Sequence, residues 1–509
     1  MICRPFRRIH VAFAASLLFL AAVSMAQTSP NASPTANAEF PMSTTSPKAH
    51  ELVKRALSLY LDQVEQEKST EILRQAVKLD PQFAMAHELL AQISLDSGEQ
   101  VREQAKAYAT RRHATLAEQH AIEWYQDAAD HKLISAITKM NDVVNQYPHD
   151  KWAVWMTTWW LMTQSQYQRS IAIYERSEIT DSPGLLNNMA YNYAAIRQFD
   201  KAFALMEKYI ASMPGDPNPQ DSYAEILRMA GSFDKSIEHY RAALAINPEF
   251  YSSQFGLADT YSLMGDQMRA RREYEAGFKK FSLPEQHWTL WKSREAATYV
   301  REGDFSSANR AFQAIAGYAH AHRLSQTEAD VYRQMAMYQP QPKQSLAYLN
   351  KAQIALKTGT NALPIALTQE LAQILRLRVE TAIKMDDTAT AHALVARLAD
   401  ISQSSNDTVI DLAYHGAAGA LLFSQQKYTD AISHLQEDVN NPLSLELLAQ
   451  AYQQAGYSAE AKNTDDTLAS VNDTTLEQAL VVPAFRECYR DASCSSNLKP
   501  ASLKHMHLL

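Results

Sequence analysis

The chain has 509 residues, of which 46% are hydrophobic and 20% charged, and its formal net charge is −8. None of its 13 glycines precedes a lysine, which excludes a phosphate-binding P-loop, and they form no GxGxxG dinucleotide fingerprint. The acidic balance predicts that the protein does not bind nucleic acid or an anionic lipid surface.

The N-terminus has the pattern of a secretory signal peptide. Arginines precede an apolar run from Val11 to Val23, at positions Arg4, Arg7 and Arg8. Small residues around Ala26 then suit cleavage before Gln27. Removal of residues 1–26 takes away three of the 48 basic side chains and none of the 56 acidic ones, leaving a net charge of −11. We therefore expect an exported protein, periplasmic or secreted, with no stable membrane insertion after cleavage. An uncleaved anchor is the alternative.

Residues 27–47 are rich in Ser, Thr, Asn and Pro without apolar periodicity, which predicts a disordered linker. A repeat follows further along the chain. The run Phe199–Pro214 (FDKAFALMEKYIASMP) matches Phe233–Pro248 (FDKSIEHYRAALAINP) at a spacing of 34 residues. The same frame recurs at Gln66–Pro81 and Leu133–Pro148, and more loosely from Phe305 and Tyr428. Such a period predicts a solenoid of helix pairs, in which Pro81, Pro148, Pro214 and Pro248 end the second helix of their units.

These repeats resemble the tetratricopeptide family, whose units carry small residues, a tyrosine, a glycine and an aromatic at fixed positions. One unit matches it at Leu257, Ala258, Tyr261, Gly265, Ala270 and Tyr274. Other units depart from it: Leu227 replaces the tyrosine, and the glycine is replaced at His131, Ser165 and Arg197. The resemblance implies an all-α fold, a right-handed α-α superhelix (solenoid) of stacked antiparallel helix pairs.

The predicted organisation has five segments. Residues 1–26 are the signal peptide and 27–47 the linker. A regular array of about eight helix pairs spans 48–316, less regular pairs span 317–475, and a cap or tail spans 476–509.

The sequence shows no catalytic or metal-binding motif. His50-Glu51 and His87-Glu88 both lack the second histidine of a zinc-protease helix, and GxSxG is absent. We therefore expect no enzyme, no metal and no cofactor. An enzyme whose site escapes such motifs remains an alternative.

Two cysteines remain after signal removal, Cys488 and Cys494. An even pair in an oxidising compartment predicts a disulfide between them. Two free buried thiols are the alternative.

Tryptophans concentrate in KWAVWMTTWW at residues 151–160. At ~100° per residue, Trp152, Trp155 and Trp159 lie within ~60° of one another. A separate face is formed by Val154, Thr158 and Leu161. In the family that this chain resembles, the latter face packs and the former lines a concave groove. The resemblance therefore implies that the tryptophan stripe lines a groove, whereas packing between repeats is the alternative.

Carrying the same face to neighbouring first helices extends the implied ligand-binding surface to Tyr125, Asn187, Tyr191, Asp221, Glu225, Arg228, Phe255 and Asp259. Such a surface suits an extended peptide or a glycan, because aromatic rings supply apolar area and polar groups orient the ligand. The sequence thus predicts a non-catalytic scaffold that binds an extended segment of a partner protein. A glycan-binding module of the cell envelope is the alternative.

Overall fold

The computed structural model describes residues 38–490 except residues 64, 131, 359–361 and 406. The signal peptide, Cys494 and His131 lie outside the described residues. Within them, the chain forms helices joined by short connections, and β-strands do not occur in this part of the chain. The predicted all-α fold of stacked antiparallel helix pairs is confirmed.

Eight pairs form the first part of the array. They are α1 (Pro47–Gln63) with α2 (Gln66–Leu79), α3 (Ala84–Ile93) with α4 (Ser97–Thr110), α5 (Leu116–Ala129) with α6 (Leu133–Gln146), α7 (Lys151–Thr163) with α8 (Tyr167–Ser177), α9 (Pro183–Ala195) with α10 (Phe199–Ser212), α11 (Asn218–Met229) with α12 (Phe233–Ile246), α13 (Tyr251–Met264) with α14 (Gln267–Lys280), and α15 (Glu285–Arg301) with α16 (Phe305–Ala321).

Four pairs and one single helix complete the part of the chain that the structure describes. They are α17 (Ser325–Met337) with α18 (Pro342–Thr358), α19 (Pro364–Lys384) with α20 (Thr388–Ser405), α21 (Thr408–Ser424) with α22 (Tyr428–Leu435), α23 (Pro442–Ala455) with α24 (Ser458–Ala469), and the single α25 (Leu476–Arg490). Helix α19 has 21 residues and α20 has 18, whereas most helices of the first part have 14 or fewer. These long helices explain why the repeat period loosens in the second half of the sequence.

Proline and capping residues fix the helix ends. Helices α2, α6, α10 and α12 each end two residues before the prolines of the repeat, because proline cannot continue a helix interior. Thr115 and Glu118 form a capping box at the start of α5, in which the Glu118 carboxylate accepts from the Thr115 amide at 2.9 Å. Local sequence signals therefore set these boundaries.

Small side chains allow the close approach of the two helices in a pair. Ala190, Ala202, Ala258 and Ala270 have no exposed surface, and Tyr274 is 1% exposed. These positions are the ones that the repeat pattern singles out. The small residues of the repeat pattern therefore reflect close packing of the paired helices, since a larger side chain at such a position would push the two helices apart.

In several pairs the turn after the first helix adopts a left-handed conformation. Gly231, Gly265 and Gly303 have φ values of 79°, 95° and 74° there. Ser165 and Arg197, which replace the glycine of the repeat, adopt φ values of 56° and 61° at the same position. The backbone path is thus kept where the glycine is lost.

The predicted disordered linker is wrong for its C-terminal part. Residues 38–46 lie against the array, and Phe40 is 6% exposed and packs on Tyr147 with ring centroids 5.4 Å apart. The Phe40 amide donates to Asp150 at 3.0 Å, and the Ser43 amide donates to Glu118 at 2.6 Å. Composition indicated disorder because single apolar residues such as Phe40 form no periodic pattern.

Cys488 in α25 is disulfide-bonded. The alternative of a free thiol is therefore wrong for Cys488. Its pairing with Cys494 stays a prediction, since Cys494 lies outside the described residues. Among the helices of the described chain, none has the length and apolar character required to cross a bilayer.

Candidate functional site on the inner face of the array

The first helices of the pairs line the inner face of the array. Helices that meet across the array are α1 with α9, α5 with α19, and α15 with α25. Apart from the single α25, all of these are first helices. A continuous superhelix brings them together because its first helices share the concave side. We call this side the inner face.

The tryptophan stripe lies on this inner face, on a different side of α7 from the face that packs against other helices. Val154 and Thr158 have no exposed surface, and Leu161 is 1% exposed, as expected for the packing face. The rings of Trp152 and Trp155 stack at 5.6 Å, and those of Trp155 and Trp159 at 5.5 Å. The stripe is therefore one stacked aromatic surface.

Helix α1 meets the middle of that surface. Tyr60 of α1 packs edge-on against Trp155, with ring centroids 5.4 Å apart. Trp152 and Trp155 are each 8% exposed, whereas Trp159 is 38% exposed. Packing between repeats therefore describes Trp152 and Trp155, which lie against the chain's own helices. Trp159 is accessible, as a groove residue would be.

Tyr125 lies beside this surface on α5. Its ring stacks on Trp124 at 4.6 Å, and Trp124 meets Trp160 edge-on at 5.3 Å. Burial raises the pKa of Tyr125 well above its ordinary value, and the nearby Glu88 carboxyl adds to that shift. Glu88 itself is fully buried, and burial raises its pKa to about 8.

The polar residues predicted for the floor form one hydrogen-bonded row across three helices. Tyr191 donates to Glu225 Oε2 at 2.8 Å, and Arg228 donates to Glu225 Oε1 at 2.7 Å. Arg228 also donates to Asp259 at 3.3 Å, although Arg228 is only 4% exposed and Asp259 only 2% exposed. The row therefore ties α9, α11 and α13 together through a buried guanidinium between two carboxylates.

Two carboxyl groups on α11 differ in ionisation. Burial raises the pKa of Asp221 to about 7, although Ser253 donates to it at 2.6 Å. Burial also opposes ionisation of Glu225, but the charges of Arg228 and Arg294 and the hydrogen bonds from Tyr191 and Arg228 together hold the pKa of Glu225 below its ordinary value. Helix α11 thus carries one carboxylate that stays charged and one carboxyl that titrates near neutrality. Asn187, one turn before Tyr191, is half-buried.

Phe255 does not lie on the inner face, so its predicted position is wrong. It is fully buried, stacks on Trp291 at 4.4 Å and packs on Phe278. A Cβ at Gly277 would come within 2.8 Å of the Phe255 ring, so α14 approaches this side chain closely. Phe255 is a core residue among α13, α14 and α15.

The chain's own C-terminal segment occupies the inner face beyond this row. Arg197 donates to Ser470 at 2.7 Å, Asn472 donates to the Met229 carbonyl at 3.3 Å, and Arg301 donates to Gln478. Helix α25 then packs on α15 and α23. The segment 470–490 therefore returns over helices that precede it by about half the chain.

Arginines face the acidic groups of this segment. Burial raises the pKa of Asp473, and the charges of Arg301 and Arg228 oppose that shift. Burial likewise raises the pKa of Glu477, against the charges of Arg333 and Arg376. Attraction to these arginines therefore offsets part of the cost of burying the two carboxyls.

Sequence reasoning missed the arginines beyond α13. Arg294 of α15 donates to Asp259 and so continues the polar row. Its position follows Asp259 by 35 residues, close to the repeat period, and this spacing is the signal that could have found it. Arg333 and Arg376 were missed because the period breaks in the second half of the chain. No cluster of three or more potential metal ligands occurs among the described residues.

Comparison with known proteins yields structural likeness alone. No protein-family model and no curated protein sequence matches the chain. Similar solved structures include the APC/C hetero-tetramer Cut9-Hcn1, at 13% identity, 79% coverage of this chain, 76% of that chain and a TM-score of 0.38. A tetratricopeptide repeat protein from Parabacteroides merdae ATCC 43184 has 13% identity, 59% and 98% coverage, and a TM-score of 0.30. A human IFIT1 dimer with PPP-AAAA has 14% identity, 82% and 98% coverage, and a TM-score of 0.36.

Proposed function

We propose that this protein is an exported, non-catalytic scaffold that holds an extended segment of a partner protein on its inner face. One observation carries the proposal: the inner face already holds a polypeptide segment, residues 470–490 of the same chain. That segment is held by side chains of first helices, including Arg301, and by Arg197 in the turn after α9. A surface that binds one segment in this way has the groups needed to bind another.

The partner surface that we propose runs from Trp159 to the polar row. Trp159 is 38% exposed and is backed by the stacked Trp155, so its ring has a fixed orientation. Exposed rigid aromatic side chains are frequent anchors of protein interfaces. Tyr191 and Glu225 then offer hydroxyl and carboxylate groups that are already oriented by Arg228.

Site-specific photo-cross-linking in the native host tests this surface. A photoreactive residue in place of Trp159 should give a cross-linked product of defined mass. The matched control is Ile134 on the second helix α6, which is 73% exposed. Identical products from both positions, or none from position 159, would contradict the proposal.

Export is part of the same proposal. The disulfide-bonded state of Cys488 supports it, because disulfides persist in oxidising compartments. N-terminal sequencing of the protein from its native host should find Gln27 as the first residue. An intact Met1 in the cytoplasmic fraction would refute export and leave the scaffold function in place.

A further inference from the structure

A cleft lies where the early and late parts of the array meet. It has a volume of about 150 Å³ and lies between helices α3 to α7 on one side and α19 to α21 on the other. The facing groups include Gln104, Tyr125, Trp160 and Gln164 from the early helices, and Ile365 and Gln369 from α19. The cleft is distinct from the surface around Trp159.

One amide oxygen in this cleft is buried without a partner. The Oε1 atom of Gln164 is buried and has no hydrogen-bond partner in the described chain. A buried polar group without a partner destabilises the fold, because it has lost its hydration without replacement. The Gln164 oxygen therefore indicates that a polar group is to be bound here. Gln104 lies beside it in the lining, and its side chain makes no hydrogen bond with the described residues.

Part of the cleft lining is apolar and rigid. Trp160 is 7% exposed, and its ring is held edge-on by Trp124, on which Tyr125 stacks. Leu133 and Ile365 complete this part of the lining. A ligand in the cleft thus meets apolar surface as well as amide groups.

The cleft offers no uncompensated charge to a ligand. Among its described lining residues, Asp407 is the one carboxylate, and none carries a positive charge. Asp407 caps α21 by accepting from the Ile410 amide at 3.1 Å, and it accepts from Gln369 at 3.1 Å. Its charge is therefore already compensated by the helix terminus and an amide. A charged ligand would lose its hydration without gaining a counter-charge.

We propose that this cleft binds a neutral ring that carries hydroxyl groups, the chemistry of one sugar residue. A cavity of about 150 Å³ admits a single six-membered ring. Hydroxyl groups both donate and accept, which matches the two functions of the Gln104 and Gln164 amides. The apolar face of the ring packs on Trp160 and Tyr125.

Thermal unfolding of the full chain with neutral sugars tests the proposal, with glucose, galactose and N-acetylglucosamine as probes. At least one of them should raise the Tm saturably and change the tryptophan emission. Gln164→Leu should raise the Tm without ligand, since it removes a buried amide oxygen that has no hydrogen-bond partner in the described chain. The same variant should weaken sugar binding about tenfold, the effect of one lost hydrogen bond.

Two further measurements separate the outcomes. Gln146→Leu, at an exposed position at the end of α6, should leave the sugar response unchanged. Gln104→Leu should weaken binding as Gln164→Leu does. The proposal is overturned if no sugar raises the Tm, if benzene does so in their place, or if Gln164→Leu lowers the Tm of the free protein. Cross-linking at position 159 is independent of all these results.

Discussion

At the scale of single residues, burial separates side chains that the sequence treats alike. Trp155 and Trp159 belong to the same stripe and stack on each other, yet one is covered by Tyr60 and the other is accessible. The helical period fixes the direction of a side chain but not what lies opposite. The covering residue comes from α1, about 95 residues earlier in the chain, so no local pattern could reveal it.

This difference predicts different effects of the same substitution. Trp155→Ala should lower the free energy of unfolding by roughly 3–5 kcal/mol, because it removes a buried ring from between two others. Trp159→Ala should lower it by about 1 kcal/mol or less. Urea denaturation followed by circular dichroism measures both. Equal losses for the two variants would show that α1 does not cover the stripe.

At the scale of elements, the sequence predicted the helix pairs well wherever small residues and prolines recur. Gly265 and Pro248 mark a turn and a helix end that the structure also has. The packed segment around Phe40 and the contacts of α25 could not be predicted, since both depend on residues distant in sequence. For the site, the repeat frame predicted which residues form the row from Tyr191 to Asp259. It did not predict that residues 470–478 bind to the earlier helices.

The left-handed turn between α21 and α22 predicts opposite effects of glycine at two exposed positions. Gln426 is exposed and has a φ of 61°, a conformation that glycine adopts without strain. Gln426→Gly should therefore stabilise the protein by about 0.5–1 kcal/mol. Gln453→Gly, at an exposed position within α23, should destabilise it by about 1 kcal/mol.

Thermal unfolding of both glycine variants measures this contrast. A loss of stability from Gln426→Gly comparable to that of Gln453→Gly would mean that position 426 is not left-handed in solution.

At the scale of the whole molecule, buried carboxyls couple stability to pH. Burial raises the pKa of Glu88 to about 8 and the pKa values of Asp221, Glu370 and Glu446 to about 7. In the unfolded chain these groups titrate near pH ~4. Between these values the folded protein binds protons that the unfolded chain does not. Stability must therefore fall as pH rises from about 5 to 8, by up to ~1.4 kcal/mol per pH unit for each group.

The expected result is a higher unfolding midpoint at about pH 5.5 than at about pH 8. Glu88→Gln should flatten this dependence and stabilise the protein at the higher pH, because Glu88 Oε2 is buried without a hydrogen-bond partner in the described chain. Glu460→Gln, at an exposed position on α24, is the control that should leave the profile unchanged. A midpoint that rises with pH across this range would refute the assignment.

The contacts that join distant parts of the array have a kinetic consequence. Stacked helix pairs fold through local contacts, and such arrays can unravel from either end. Here Tyr251 donates to Glu67 at 3.2 Å, and Arg197 donates to Ser470 at 2.7 Å, so both terminal regions are held by the middle of the chain. Folding is therefore completed only after the C-terminal helices have been synthesised. Unfolding has to break one of these two long-range contacts before a helix pair at either end can detach from the array.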